Sequence, residues 1–180
     1  METYIALLRG INVSGQKKVK MADLRAQLAE LPYENIQTYI QSGNIVFAAN
    51  ATAKETLANQ IKDNIQQNYG FEVSVIVRTP TELEWILQNN PFLKDSSKDP
   101  KRFYVTFLAQ APEPDHIKKL EEVDYSPEEY VLEGDLLFFF APNGYGRAKM
   151  NNNFFEKKLK VAATTHNWRT IHKLVEIAGK

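Results

Sequence analysis

Apolar positions recur along the chain in two rounds of the same order. In the first round, TYIALLR at 3–9 is a short strand-type run that stops at Gly10. Residues 20–31 then place Met21, Leu24, Leu28 and Leu31 at helical spacing. Across 35–41, Ile36 and Ile40 alternate with polar neighbours, and Ser42-Gly43-Asn44 turns the chain into Ile45-Val46-Phe47, the pattern of a hairpin. Thr52 and Glu55 read as a capping box. Leu57, Ile61, Ile65 and Tyr69 follow at four-residue intervals, and Gly70 stands where a helix C-cap belongs. Residues 72–78, with Val73, Val75, Ile76 and Val77, predict a fourth strand and complete a β-α-β-β-α-β order of ferredoxin type.

A second round follows a connecting helix. Thr79 can cap that helix, Pro80 suits its first position and Glu82 closes the box, and the segment ends at Asn89-Asn90-Pro91. The polar, turn-rich KDSSKDPK at 94–101 predicts a junction. Beyond it come a strand at 102–109, a short helix at 114–122, a hairpin of 129–133 with 136–141 across Gly134-Asp135, and a helix at 153–159. Trp168, Ile171, Leu174, Val175 and Ala178 share one helical face over 167–178, which predicts a helix where a fourth strand would stand. The expected fold class is therefore α/β (α+β), with two tandem ferredoxin-like β-α-β-β-α subdomains, the second a variant ending in a helix. The expected division is 1–79, a connecting helix and linker at 80–101, and 102–180. The uninterrupted apolar run 136–140 further predicts burial on both faces of its sheet.

Composition narrows the chemistry. The 180 residues contain no Cys, which excludes disulfides, thiolate catalysis and Cys-ligated metals and fits a reducing, cytoplasmic setting. METYIALLRGIN lacks the basic start and apolar core of a signal peptide, and no apolar run approaches membrane length. Twenty-two basic and twenty-two acidic residues cancel, which argues against binding driven by phosphate neutralisation along a nucleic acid. The distribution is less even. Residues 3–22 hold Arg9, Lys17, Lys18 and Lys20 with no acid, 147–173 hold seven Lys and Arg against Glu156, and 113–135 hold nine acids against Lys118 and Lys119.

Three polar segments are candidates for function. Arg9-Gly10-Ile11-Asn12-Val13-Ser14-Gly15 with Lys17, Lys18 and Lys20 combines glycines with cations, as an anion site requires, but matches neither GxxxxGK[ST] nor GxGxxG; turn geometry and solubility also explain it. Gln41-Ser42-Gly43-Asn44 offers a hydroxyl and two amides, which a hairpin turn also needs. Tyr145-Gly146-Arg147-Ala148-Lys149, with Thr164-Thr165-His166-Asn167-Trp168-Arg169, gathers polar groups at the start of the last helix, where Asn167 also serves as an N-cap and Trp168 as a core anchor. No HExxH, HxxxH or GxSxG occurs, so no metal site or cofactor is expected and no catalytic residue is named.

LLRGINVSG at 7–15, MADLR at 21–25, TYIQSGNIVF at 38–47 and HNWRTIHKL at 166–174 together resemble the bacterial family catalogued as domain of unknown function 1697. The resemblance spans nearly the whole chain and implies two ferredoxin-like subdomains; it carries no established activity. Ser14, Ala148 and His166 depart from the family pattern, in which Gly, Ser and Arg are usual.

The leading functional expectation is a cleft between loops for a small anionic ligand bearing phosphate or carboxylate. Its residues are Arg9, Asn12, Lys17, Ser42 and Asn44, joined by Asn167 and Arg169. A single-stranded RNA-binding module is the alternative, with Phe103, Tyr104, Phe107, Phe138, Phe139 and Phe140 as stacking aromatics, although SGNIVFAA lacks the RNP1 pattern. An enzyme of unidentified reaction is the third.

Overall fold

The computed structural model describes all of residues 1–180. It divides into two compact units: unit 1 comprises Met1–Trp85 with Lys173–Lys180, and unit 2 comprises Ile86–His172.

In unit 1 the elements run β1 (Glu2–Leu8), α1 (Met21–Leu28), β2 (Glu34–Tyr39), β3 (Asn44–Ala49), α2 (Lys54–Tyr69) and β4 (Val75–Arg78). The sheet order is β2-β3-β1-β4, antiparallel throughout, with Ile5 opposite both Val46 and Arg78. Alternate residues of β1 explain its unbroken apolar run. Tyr4, Ala6 and Leu8 join the core with Leu24, Leu28, Leu57, Ile61 and Ile65 of α1 and α2. Ile5 and Leu7 point to the other face and are equally buried. Gly70 caps α2, its N–H bonding Gln66 O. The predicted Thr52–Glu55 capping box does not form: the N-cap is Ala53, and the Thr52 hydroxyl donates to Asn50 O instead.

Helix α3 (Pro80–Asn89) opens on the box predicted from sequence: Thr79 N–H donates to Glu82 Oε2 (2.7 Å) and Glu82 N–H to Thr79 Oγ1 (3.3 Å).

Unit 2 repeats the order with β5 (Phe103–Leu108), α4 (Pro114–Glu121), β6 (Glu129–Glu133), β7 (Leu136–Phe140), α5 (Asn152–Leu159) and β8 (Ala163–Asn167), and α6 (Trp168–Ala178) ends the chain. The order β6-β7-β5-β8 reproduces that of the first sheet. One expectation is corrected here. The fourth strand is present as β8, and α6 follows it rather than replacing it. The strand went unread because ATTHN is too polar to stand out as a strand. Its residues are held by specific bonds, Thr106 Oγ1 to Thr165 Oγ1 (2.8 Å) and Ala163 N–H to Glu156 Oε2 (3.0 Å), besides the ladder to β5.

The two units share hydrogen bonds at matching positions. Leu8 N–H donates to Gly43 O and Arg9 N–H to Ser74 O; in unit 2, Leu108 N–H donates to Asp135 O and Ala109 N–H to Ala162 O. Burial on both faces of β7 is also observed: Leu137 and Phe139 enter the helix-side core, while Phe138 is 0% and Phe140 9% exposed on the other face. There, Phe103 and Phe140 pack with Phe92, and Phe103 meets Trp168 edge-on at 6.1 Å.

His166 is the titratable group this burial affects most. Its ring bonds the Thr164 hydroxyl at 3.1 Å and lies against Phe107, and burial pushes its pKa down to about 4. The unfolded chain takes up a proton near pH 6.5 that the folded chain refuses. Stability from this residue is thus full above about pH 6.5 and is lost as the pH falls toward 4. Urea unfolding at pH 7.5 and pH 5 should show about 2 kcal/mol more loss in the wild type than in His166→Gln.

Candidate functional site

The two units make the same strand-to-helix connection at very different lengths. Between β5 and α4 it takes five residues (109–113); between β1 and α1 it takes twelve (9–20). The fold therefore closes with the shorter link, and the extra length in unit 1 is not demanded by topology.

This longer loop is ordered by its own side chains. The Asn12 amide donates to Val19 O (2.8 Å) and to Gln41 O (2.7 Å), and its Oδ1 accepts from Val19 N–H (2.8 Å). Asn12 thus ties both ends of the loop together and joins them to the β2–β3 turn. Asn12 N–H bonds Lys17 O and Gln16 N–H bonds Val13 O, so residues 13–16 form a tight projecting turn. Lys17 Nζ donates to Glu72 O (2.8 Å) and lies 5.8 Å from the Phe71 ring centroid.

Backbone conformation is unusual along the same stretch. φ is positive at Gly10, Asn12, Ser14, Gly15 and Lys17, alternating in sign from Gly10 to Ser14. Within this stretch the Asn12 N–H is already spent on Lys17 O. Ile40 in the adjoining turn, β-branched yet at φ 52°, adds a further strained residue. Lys17, Lys18 and Lys20 are exposed and Arg9 is partly buried.

The sequence-derived residues divide between the units. Arg9, Asn12, Lys17, Ser42 and Asn44 lie in unit 1, and Asn167 and Arg169 in unit 2. Two of the first group are scaffolding: Asn12 as above, and Asn44, fully buried, whose amide donates to Tyr39 O and Ser42 Oγ (both 3.1 Å) while its Oδ1 has no partner. In unit 2, Asn167 Oδ1 caps α6 by accepting from Thr170 N–H (2.8 Å), and Arg169 is exposed. The 145–149 segment already holds an anion of its own. The Glu128 carboxylate accepts from Lys149 N–H and Met150 N–H, both at 2.9 Å. Asn152, which the sequence reading missed, donates to Ala163 O and accepts from Thr165 Oγ1, while its N–H bonds the Tyr145 hydroxyl. The stacking rings required for RNA are not available on β7, since Phe138 and Phe140 are buried. No group of three or more His, Asp or Glu is placed to hold a metal ion, and no helix is long and apolar enough to cross a membrane.

The junction of loop and turn is tight at Gly43. A Cβ there would lie 2.5 Å from Ile11 Cδ1 and 3.1 Å from Leu8 Cβ, at φ +83°. At Gly10, φ is +73° but a Cβ would meet nothing within 4 Å. Gly43→Ala should cost about 2 kcal/mol or more in urea unfolding, against about 1 kcal/mol for Gly10→Ala. Asn12→Ala should also cost about 2 kcal/mol, because it leaves several polar groups of the loop unpaired.

Comparison with known proteins agrees with this architecture. The family model described as Protein of unknown function (DUF1697) matches residues 1–138. The chain is similar to a solved structure titled as conserved bacterial protein SP0830 from Streptococcus pneumoniae, with 27% identity over 98% of both chains and a TM-score of 0.76. No match was found among curated proteins. The motifs in loop, turn and hairpin and the matched span lead to one conclusion: the chain belongs to the protein family of unknown function DUF1697.

Proposed function

We propose that unit 1 binds a small anionic molecule, through its phosphate or carboxylate, on the 10–20 loop beside the β2–β3 turn. The observation that carries this reading is the length difference between equivalent connections, twelve residues in unit 1 against five in unit 2. The longer loop includes Lys17, Lys18 and Lys20, lies in an acid-free stretch of 3–22, and is held in place by the Asn12 side chain. A loop already fixed in place, with cations at its surface, binds an anion without a large ordering cost.

The roles are divided. Lys18 and Lys20 supply charge at the surface, and Lys17 does so from a fixed position over Phe71. Ser42 offers a hydroxyl from the adjoining turn. Arg9, directly after β1, offers a planar fork that a lysine cannot reproduce. Asn12 and Asn44 shape the site. The Glu128 carboxylate, which already takes the N–H groups of Lys149 and Met150 in unit 2, disfavours that segment as the binding loop.

A thermal-shift screen with inorganic phosphate, nucleoside mono- and diphosphates, sugar phosphates and dicarboxylates tests the reading. A ligand at about 100 times its Kd stabilises by about 2.7 kcal/mol, which raises Tm by roughly 5–10 °C for a chain of this size. Lys18→Glu and Arg9→Lys should each reduce that shift. No shift with any member of the panel, or a shift in both variants as large as in the wild type, overturns the proposal.

A further inference from the structure

We propose that unit 2 docks an extended, positively charged peptide as an added strand on β6, in the groove between β6 and α4. The inference stands apart from the anion site of unit 1.

Strand β6 pairs only with β7, so its other edge is open. The hairpin closes through Gly134-Asp135 with Glu133 opposite Leu136, followed by Leu132 with Leu137, Val131 with Phe138, Tyr130 with Phe139 and Glu129 with Phe140. In an antiparallel pair joined by a two-residue turn, the closing pair exchanges both backbone bonds, and every second pair does the same. Glu133, Val131 and Glu129 therefore spend their backbone groups on β7. Tyr130 and Leu132 turn their N–H and C=O groups outward.

Beside that edge lies a groove of about 390 Å³ lined by Ala111, Pro112, Ile117, Glu121, Tyr130 and Leu132 among others. Ile117, Tyr130 and Leu132 are partly buried against the unit 2 core and give the groove an apolar floor on the helix side. The opposite side of β6 carries Glu129 and Glu133, both exposed, and Glu121 and Glu122 are exposed at the end of α4. Lys98 engages Glu129 at 2.7 Å, which leaves the acidic excess of the region in place: nine acids against two lysines over 113–135.

The equivalent edge of unit 1 is managed differently. In unit 1, the edge strand β2 breaks register between Glu34 and Gln37 and carries Asn35 at φ 52°, irregularities that obstruct an incoming strand. β6 has no such break. Its glutamates repel an identical edge from a second copy while attracting a basic one. Because residues of an added strand also alternate faces, the fitting occupant alternates apolar residues, toward Ile117 and Tyr130, with Lys or Arg, toward Glu129 and Glu133.

The test uses the intact chain and a fluorescein-labelled octapeptide alternating lysine with valine. Three comparison peptides are needed: one with glutamate for lysine, and two N-methylated on alternate amides in opposite phases. The lysine peptide should bind saturably and at least about tenfold more tightly than the glutamate peptide. One N-methylated phase should lose about tenfold or more in affinity while the other keeps most of it, because only one phase presents its N–H groups to β6. Glu129→Lys with Glu133→Lys should weaken the lysine peptide by a similar factor, and hydrogen exchange at the Tyr130 and Leu132 amides should slow on binding. Absence of saturable binding up to roughly millimolar peptide, equal binding of the glutamate peptide, or indifference to both N-methylation phases overturns the proposal.

Discussion

The central strands of each sheet are buried on both faces, and this constraint governs where polar chemistry can reside. In unit 1, β1 sends Tyr4, Ala6 and Leu8 to one side and Ile5 and Leu7 to the other, all within 3% exposure. In unit 2, β7 does the same with Phe138 and Phe139, both at 0%. A charged or catalytic group placed on either strand would lose its hydration without a partner, at a cost of several kcal/mol. Functional groups are thereby restricted to strand ends, connections and sheet edges. Most polar groups on the buried strands are tied down, Thr106 to Thr165, His166 to Thr164 and the Asn44 Nδ2 to Tyr39 and Ser42, while Asn44 Oδ1 is left without a partner.

The same constraint explains what the sequence could reveal. Strands buried on both faces appear as continuous apolar runs, so IALL and LLFFF were legible, as were helices with a clear 3.6-residue stripe such as α2 and α6. The Thr79–Glu82 box was readable because both of its partners lie within one turn. β8 was not. Its sequence ATTHN places Thr and His where burial is normally apolar, and those residues tolerate it only because each hydroxyl or ring finds a partner on β5, on α5 or two residues away. The Thr52–Glu55 motif failed for the converse reason: Thr52 had a competing acceptor in Asn50 O, so the helix began one residue later without a side-chain cap.

Site residues were legible by type and position, less so by role. The sequence marked 9–20 and 41–44 as polar loops, and the Asn12–Gln41 bond joins them directly. What it could not give was the direction of the Asn12 amide. Spacing shows that Asn12 stands two residues after a glycine, but not that its hydrogens are consumed by carbonyls seven and twenty-nine residues away. The internal repeat supplies the missing contrast. Equivalent backbone bonds at Leu8 and Leu108 fix the strand ends in the same way, so the difference between a five-residue and a twelve-residue connection stands out against a shared frame.

That contrast extends to how each unit stabilises its exposed backbone. Unit 2 satisfies the donors at Lys149 and Met150 with a built-in carboxylate from Glu128, which leaves no demand for an external anion there. Unit 1 stabilises its longer loop with the neutral amide of Asn12, leaving the local charge positive. A neutral clamp fixes geometry without cancelling charge, whereas an acidic clamp fixes geometry and cancels it. From one architecture, the two units therefore present surfaces of opposite sign: a basic loop at the end of β1 and an acidic edge along β6. The sign of each follows from the charges left at the surface, Lys17, Lys18 and Lys20 on the loop and Glu129 and Glu133 on the strand.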